Sequence, residues 1–550
     1  MNENTPINGQ QAVPQPNFSG TPQPNYVGVP QPGYMPYGVP YAQAVKPKVN
    51  IEFTKAEKIM AFVSAGLAFL FANFVLWYTT GFFTTAFYTL LFTAILVYLG
   101  KTGHTLKASH KVWAGVMYAF SGVFSITANS LIKGLDVIFL ILGGASLVYS
   151  ATAEKPLFGR FAPFDIFKSS VDNPLSNMGR EFSAVNSSLK GNRAGKNIKS
   201  AIIGLLLAVP LTVVVAGLLM SADKGVEDML NSLAEAVSFD NVFSLGMRIG
   251  VSIPIAGYIF GLIISHTRPE LIKKTDEEKC EKSLHNIRLV PNIAVYISVT
   301  PICVLYVLFF ISQVNYFTSA FMGNLPENYS YAEYARRGFF ELFAIELINA
   351  GVIFFIDLFS KKTGEEKPFT LKLYSVVISV FTLLITATAI SKMVMYIDTY
   401  GLTQLRVYTT WFMVLTALMF VYIIIRQFKR DFPFMRAAAV TFTLMFTLLC
   451  FSRPDALIAR YNMENCADTL TFRDITAMSD LSSDAAAVVT EIKYRELINS
   501  KYFDDNRMLE QFCDNGTTGY EYICKRAEKH LDRSVFNEFN LSAAKLRSQL

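Results

Sequence analysis

The sequence predicts an all-α polytopic integral membrane helix bundle of about 11 spans, carrying a small helical extramembrane C-terminal domain. Three observations predict it. Of 550 residues, 52% are hydrophobic and 17% charged, with 46 Phe and 26 Tyr, whereas soluble proteins carry roughly 25% charged residues. Apolar runs of about 17–20 residues recur between residues 59 and 451, each long enough to cross a ~30 Å hydrocarbon core as a helix. Lys and Arg then alternate between the two sides of those runs. These features exclude a soluble enzyme, a secreted disulfide scaffold and a wholly disordered chain.

Residues 1–48 hold ten of the 22 prolines and an eight-residue repeat, Pro14-Gln15-Pro16-Asn17-Phe18, Pro22-Gln23-Pro24-Asn25-Tyr26 and Pro30-Gln31-Pro32-Gly33-Tyr34. Too few aliphatics are present to bury a core, so a disordered, partly polyproline-II tail is expected. It is either a solvated tail or an array of aromatic docking points for a cytoplasmic protein partner. No apolar core of a cleavable signal peptide precedes it.

The bundle is expected over residues 49–452, with spans near 59–78, 82–100, 112–130, 135–152, 200–220, 247–266, 289–312, 338–358, 373–391, 408–428 and 434–451. With the tail inside, cytoplasmic flanks carry 27 Lys and Arg and external flanks seven. That places the N-terminus in the cytoplasm and, with an odd number of spans, the C-terminus outside. The loop 153–199 is basic, which suits topological anchoring and contact with anionic lipid heads. Its Gly191-Asn192-Arg193-Ala194-Gly195-Lys196 string departs from a phosphate loop: the glycine spacing is short, Asn197 replaces Ser/Thr, and no strand precedes it. No nucleotide is expected there, and the net charge of +6 is topological and not a nucleic-acid signal. The stretch 221–246 is acidic and reads as a short surface helix.

Pro210, Pro254 and Pro301 fall inside spans and are expected to kink them. Gly246/Gly250 and Gly257/Gly261 give the small-residue spacing for close helix approach. Residues 453–550, with 13 basic and 16 acidic residues after Ser452, read as a small helical external domain. Cys466, Cys513 and Cys524 could form a disulfide there or be unpaired small hydrophobes. There is no CxxC, HExxH or GxSxG pattern, so no metal, cofactor or catalytic residue is assigned and enzyme activity is left open.

Three polar strings at span ends suggest one convergent cluster on the external face. They are Tyr331-Ala332-Glu333-Tyr334-Ala335-Arg336-Arg337-Gly338-Phe339-Phe340-Glu341-Leu342, Asp398-Thr399-Tyr400-Gly401-Leu402-Thr403-Gln404-Leu405-Arg406-Val407-Tyr408, and Arg453-Pro454-Asp455-Ala456-Leu457-Ile458-Ala459-Arg460-Tyr461-Asn462. The ligand candidates are Tyr331, Glu333, Tyr334, Arg336, Arg337, Glu341, Asp398, Tyr400, Thr403, Arg406, Tyr408, Asp455, Arg460, Tyr461 and Asn462. Gln313–Tyr316 ends at the same level. Arg336 or Arg337 can pair with Glu341. Arg406 and Arg460 are read as interfacial ion pairs or as a clamp for an anionic group. Glu346, about 12 Å into its span, and Asn349, on the same side, are the intramembrane candidates. Glu346 is expected either to pair with an Arg or Lys of a neighbouring span or to serve a proton, an ion or a ligand.

At these three strings the chain resembles a bacterial family of multi-pass membrane proteins of unknown activity, domain of unknown function 4153, with a sibling family numbered 4173. The resemblance covers roughly residues 55–500 and includes Leu481-Ser482-Ser483-Asp484-Ala485. It implies a bacterial envelope location and no reaction. Three functions stand open. The favoured one is a non-catalytic envelope sensor or scaffold. The alternatives are a proton- or ion-coupled transporter using Glu346 and a membrane enzyme acting on a lipid-linked substrate through Glu333, Glu341, Arg406 and Arg460.

Overall fold

A computed structural model of the chain describes residues 51–76, 80–189, 212, 214–225, 229, 239–322, 339–361, 368–429, 431–505, 518–531 and 539–550. Within helices, the side chains of 239–243, 312–322, 339–340 and 504–505 are outside the description. The tail 1–48, the 191–196 string, residues 200–211 and 213 of the span expected at 200–220, with Pro210, Cys513, and residues 226–228 and 230–238 of the acidic stretch lie outside the described residues.

Every named element is helical, and one isolated parallel bridge joins Val290 to Ser360. Among the described residues, nine helices are long and apolar enough to cross a membrane. The chain is a multi-pass membrane protein. The elements are α1 (Lys55–Phe71, prolonged by a π turn to Leu76), α2 (Phe82–Lys101), α3 (Ala108–Ser121), α4 (Val123–Ile126), α5 (Ser130–Ala153), α6 (Ala162–Phe167), α7 (Asn173–Asn177), α8 (Arg180–Leu189), α9 (Phe239–Thr267), α10 (Glu277–Ile287), α11 (Asn292–Met322), α12 (Phe339–Phe359), α13 (Phe369–Tyr400), α14 (Gln404–Phe428) and α15 (Phe434–Phe451). Six short helices follow: α16 (Pro454–Asn465), α17 (Phe472–Ser479), α18 (Ser483–Val489), α19 (Arg495–Asp505), α20 (Gly519–Ala527) and α21 (Leu541–Gln549).

The run expected as one span at 112–130 is instead α3 and α4, broken at Gly122. Ser121 turns its hydroxyl back onto the Met117 carbonyl at 2.8 Å, and the chain leaves the helix at Thr127, where its polar groups are needed elsewhere. Pro254 and Pro301 do lie within α9 and α11.

Local chemistry sets the ends of the spans. Thr54 and Glu57 form a capping box at the start of α1. Glu57 also takes two 2.6 Å bonds from the Arg268 guanidinium, tying α1 to the end of α9. Asn129 caps α5 and Thr403 caps α14. Gly401 stops α13 with φ 73 and ψ −175, a conformation essentially confined to glycine.

The helices form two groups. In the first, α1 packs on α9 and α3 on α5; in the second, α13 packs between α12 and α14, with α11 and α15 alongside. Phe446 of α15 joins them, its ring 5.5 Å from both Phe120 and Phe139. We call the end of the bundle where α1 begins the entry end, and the opposite end the far end. At the entry end, α6, a π turn and α7–α8 form a strap along α1 and α9. Gly257 and Gly261 permit it: a Cβ on Gly257 would lie 3.1 Å from the Met178 carbonyl, and one on Gly261 would be 2.5 Å from that of Pro174. These glycines thus receive the strap and not another span, while Gly246 and Gly250 meet nothing within 4 Å.

At the far end, α16–α21 gather around α18, all of whose seven residues are buried, as suits a helix covered on every side. Ile475, Val488, Ile498 and Ile523 are central to that core. Cys466 and Cys524 carry free thiols.

Candidate functional site

Among the described residues, the expected candidates fall in more than one place. Tyr331, Glu333, Tyr334, Arg336 and Arg337 lie outside the described residues. The others fall into a network at the far end and a polar run inside the second helix group.

The far-end network is built on two buried carboxylates. Asp455, in the first turn of α16, accepts from Asn129 (2.8 Å), Gln404 (2.7 Å) and Ser482 (2.7 Å). Asn129 also donates to the Tyr408 hydroxyl at 2.8 Å. Asp484, in the first turn of α18, accepts from the Thr127 hydroxyl (2.6 Å), the Ala128 N–H (2.7 Å) and the Arg453 guanidinium (3.2 Å), and also from the Ser542 hydroxyl. Both carboxylates are fully buried. The triplet Thr127-Ala128-Asn129 between α4 and α5 is therefore held by both, which is why the third apolar run stops there. Arg453 adopts a left-handed conformation, φ 52, and so turns α15 into α16.

The neighbouring candidates are spent in the same way. Asn462 accepts from the Leu402 N–H at 2.6 Å and donates to the Leu402 carbonyl at 2.9 Å. Thr403 accepts from the Arg406 N–H. Arg406 donates to the Tyr400 carbonyl (3.0 Å) and to that of Gly401, and its guanidinium stacks on Tyr396 at 4.0 Å. It is neither an ion pair nor an open anion clamp, because cation–π and carbonyl contacts occupy it. Tyr461 reaches Asp398 at 3.4 Å. Arg460 does make the expected interfacial pair, 4.0 Å from Glu491. Burial works against the charge of Glu491, but Lys545 and Lys493 hold its carboxyl below the ordinary carboxylate range.

The second set lies within the bundle. Glu346, seven residues into α12 and so about 10 Å along it, is buried, but no Arg or Lys among the described residues pairs with it. One oxygen accepts from the Thr416 hydroxyl of α14, and the Thr386 hydroxyl of α13 lies close to the carboxylate. No donor among the described residues reaches Oε2. Asn349, one turn on, accepts from Tyr306 of α11 and donates to Thr382 at 2.9 Å. Thr382 and Thr386 belong to a buried stripe with Ser375 and Ser379 along one face of α13, at helical spacing. The four hydroxyls back-bond to the carbonyls of Leu371, Ser375, Ile378 and Thr382 at 2.7–2.9 Å. Nearer the far end, Glu341 interacts with Lys392. The sequence reading missed the hydroxyl partners Thr382, Thr386 and Thr416, since Ser and Thr are ordinary in spans. It missed Asn129 and Asp484 as well, although a polar triplet closing an apolar run was visible.

The chain order of these strings, from Glu341 through Arg406 to Asp484, falls within residues 59–492, which match the family model described as domain of unknown function, DUF4153. The chain belongs to the DUF4153 family. No curated protein and no solved structure matches this DUF4153 chain significantly.

Two entry-end features complete the account of the DUF4153 chain. A shallow recess with room for about one water molecule is lined in part by Tyr149, Ser150, Phe158 and Asp165. His110 lies 3.1 Å from Ser150, but its Nδ1 accepts from the Lys107 N–H, so the neutral ring carries its proton on Nε2. Ser150 gives its own hydrogen to the Lys155 carbonyl, 2.5 Å away. This pair is a staple and not a base with its nucleophile. In the strap, Glu181 is buried and its Oε1 has no donor among the described residues; burial pushes its carboxyl up to about 7.

Proposed function

We propose that this DUF4153 protein is a proton- or ion-coupled transporter of the bacterial plasma membrane, with Glu346 as the group that binds the coupling ion. One observation carries this: a buried carboxylate, one oxygen without a donor, beside a run of Ser and Thr hydroxyls. An ionisable residue inside a span is expensive and is kept for ion or proton traffic. The hydroxyls can donate to a carboxylate or accept from its protonated form. Asn349 and Tyr306 continue the polar path toward α11.

In this reading about eleven crossings put the Pro-rich N-terminus in the cytoplasm and α16–α21 outside as a small domain. The 27 to seven partition of Lys and Arg supports that orientation. Sensing or scaffolding is the second reading. The repeated aromatics of residues 1–48 favour it, as docking points for a cytoplasmic protein. The far-end cluster, in contrast, offers little to an outside ligand, since Asp455, Asn462 and Arg406 are spent on the chain itself.

Flux tests the proposal. Protein reconstituted into vesicles holding a trapped pH dye is exposed to an imposed membrane potential, with and without Na⁺ or K⁺. Wild type is expected to pass protons or to couple one of these cations, and Glu346→Gln to abolish the signal. Equal traces for wild type and variant under all three conditions would overturn it.

A further inference from the structure

Outside the Glu346 run, one more carboxylate is buried in the bundle without a bond. Asp136 lies six residues into α5, about 9 Å from its start, and is 0% exposed. No donor among the described residues reaches either oxygen. Lys133, one turn earlier, is directed to the Thr80 carbonyl. The polar groups that sense Asp136 are Tyr88 of α2 and Cys450 of α15. Tyr258 of α9 is coupled electrostatically to Tyr88 and donates its own hydroxyl to the Ser170 carbonyl at 2.8 Å. Tyr88 is buried and stacks on Phe124 at 5.7 Å. Thr84, also fully buried one turn before Tyr88, has its own hydroxyl unbonded among the described residues.

The surroundings select the ligand. A metal cation needs about six oxygen ligands, and the polar groups coupled to Asp136 are one phenol hydroxyl, of Tyr88, and one thiol, of Cys450. An ionised carboxylate in such a place is costly without a partner, and a single proton removes that charge. We infer that Asp136 is a second proton-binding carboxyl of the bundle, in the first helix group and facing α15 of the second. Its offset of six residues from the start of α5 is close to that of Glu346, seven residues from the start of α12. Because Cys450 belongs to α15, loss of the proton puts a charge into the contact between the two groups and weakens it. The site stands on its own geometry and does not require that Glu346 couple transport.

Carbodiimide labelling tests this inference. Dicyclohexylcarbodiimide reacts with protonated carboxyls in apolar surroundings. The full-length protein in vesicles is labelled across a pH series, and adducts are located to the residue by fragment ions. Asp136 is expected to label at acidic and neutral pH and to lose about tenfold in labelling per pH unit above its titration. Asp136→Asn is expected to remove that adduct and to leave the Glu346 adduct in place. Absence of an Asp136 adduct at every pH, or its protection by Na⁺ at fixed pH, would overturn the inference. The wild-type series alone decides the point should Asp136→Asn fail to fold. Failure of labelling at Glu346 alone would count against the transport reading and leave Asp136 standing.

Discussion

The two ends of the chemistry in this molecule treat a buried carboxylate in opposite ways. At the far end, Asp455 receives three donors and Asp484 receives bonds from four residues. Inside the bundle, Glu346 has one oxygen without a donor, and Asp136 has two, among the described residues. All four are essentially buried. Burial alone therefore does not separate glue from chemistry; the state of the oxygens does. A carboxylate with all its acceptor sites filled fixes geometry, and removing it strands its donors. One with acceptor sites left open holds chain segments together weakly and can take up a proton.

The largest effect is expected at Asp484. Asp484→Ala leaves the Arg453 guanidinium and the Thr127–Ala128 donors stranded, at a cost of about 3–5 kcal/mol. Thermal unfolding and proteolysis should show α16–α21 released; wild-type behaviour would break the comparison. Gly401→Ala comes next. It puts a side chain on a backbone meant for glycine and drives its Cβ into the Asn462 amide, a loss of about 3 kcal/mol visible as a lower unfolding temperature.

Glu181 is the entry-end counterpart of the open carboxylates. Its folded titration lies at about 7, above the ordinary 4.5. Its contribution is thus fully present below about pH 4.5 and is lost as pH rises through about 7. The strap should loosen over that interval by about 3 kcal/mol, read by thiol accessibility of a cysteine placed in α8, and Glu181→Gln should remove the pH dependence. Glu346→Gln should shift stability by about 1 kcal/mol or less while abolishing coupled flux, the reverse of the Asp484 pattern. The smallest effect is at Glu491. Its depressed titration means that its ion pairs with Lys493 and Lys545 stabilise above about pH 4.5 and are lost as pH falls through the folded value. Hydrogen exchange in α21 should rise on acidification by an amount worth less than about 1 kcal/mol.

The bundle was legible because apolar length is a one-dimensional property: eight of the expected spans reappear within a few residues, and so does the helical region after Ser452. The broken α3–α4 span was not, since its break answers Asp455 and Asp484, more than 300 positions away. Gly257 and Gly261 signalled close approach, but the strap they receive is amphipathic and carries no apolar run. Two of the three polar strings, 398–408 and 453–462, supply residues of the far-end network. Their composition could not reveal that Asn462, Arg406 and Asp455 point into the chain, because bonding partners are set by the fold. Asp136 was readable by the rule that singled out Glu346, a charge inside an apolar run, and its place in the first turns of α5 let it pass as a helix end.

One labelling experiment compares the four carboxylates directly. Wild-type protein in vesicles is treated at neutral pH with dicyclohexylcarbodiimide, and adduct yields at Asp136, Glu346, Asp455 and Asp484 are read from the same digest. The account predicts adducts at Asp136 and Glu346 and none at Asp455 and Asp484, despite equal burial. Equal labelling of all four, or labelling confined to the far-end pair, would contradict it.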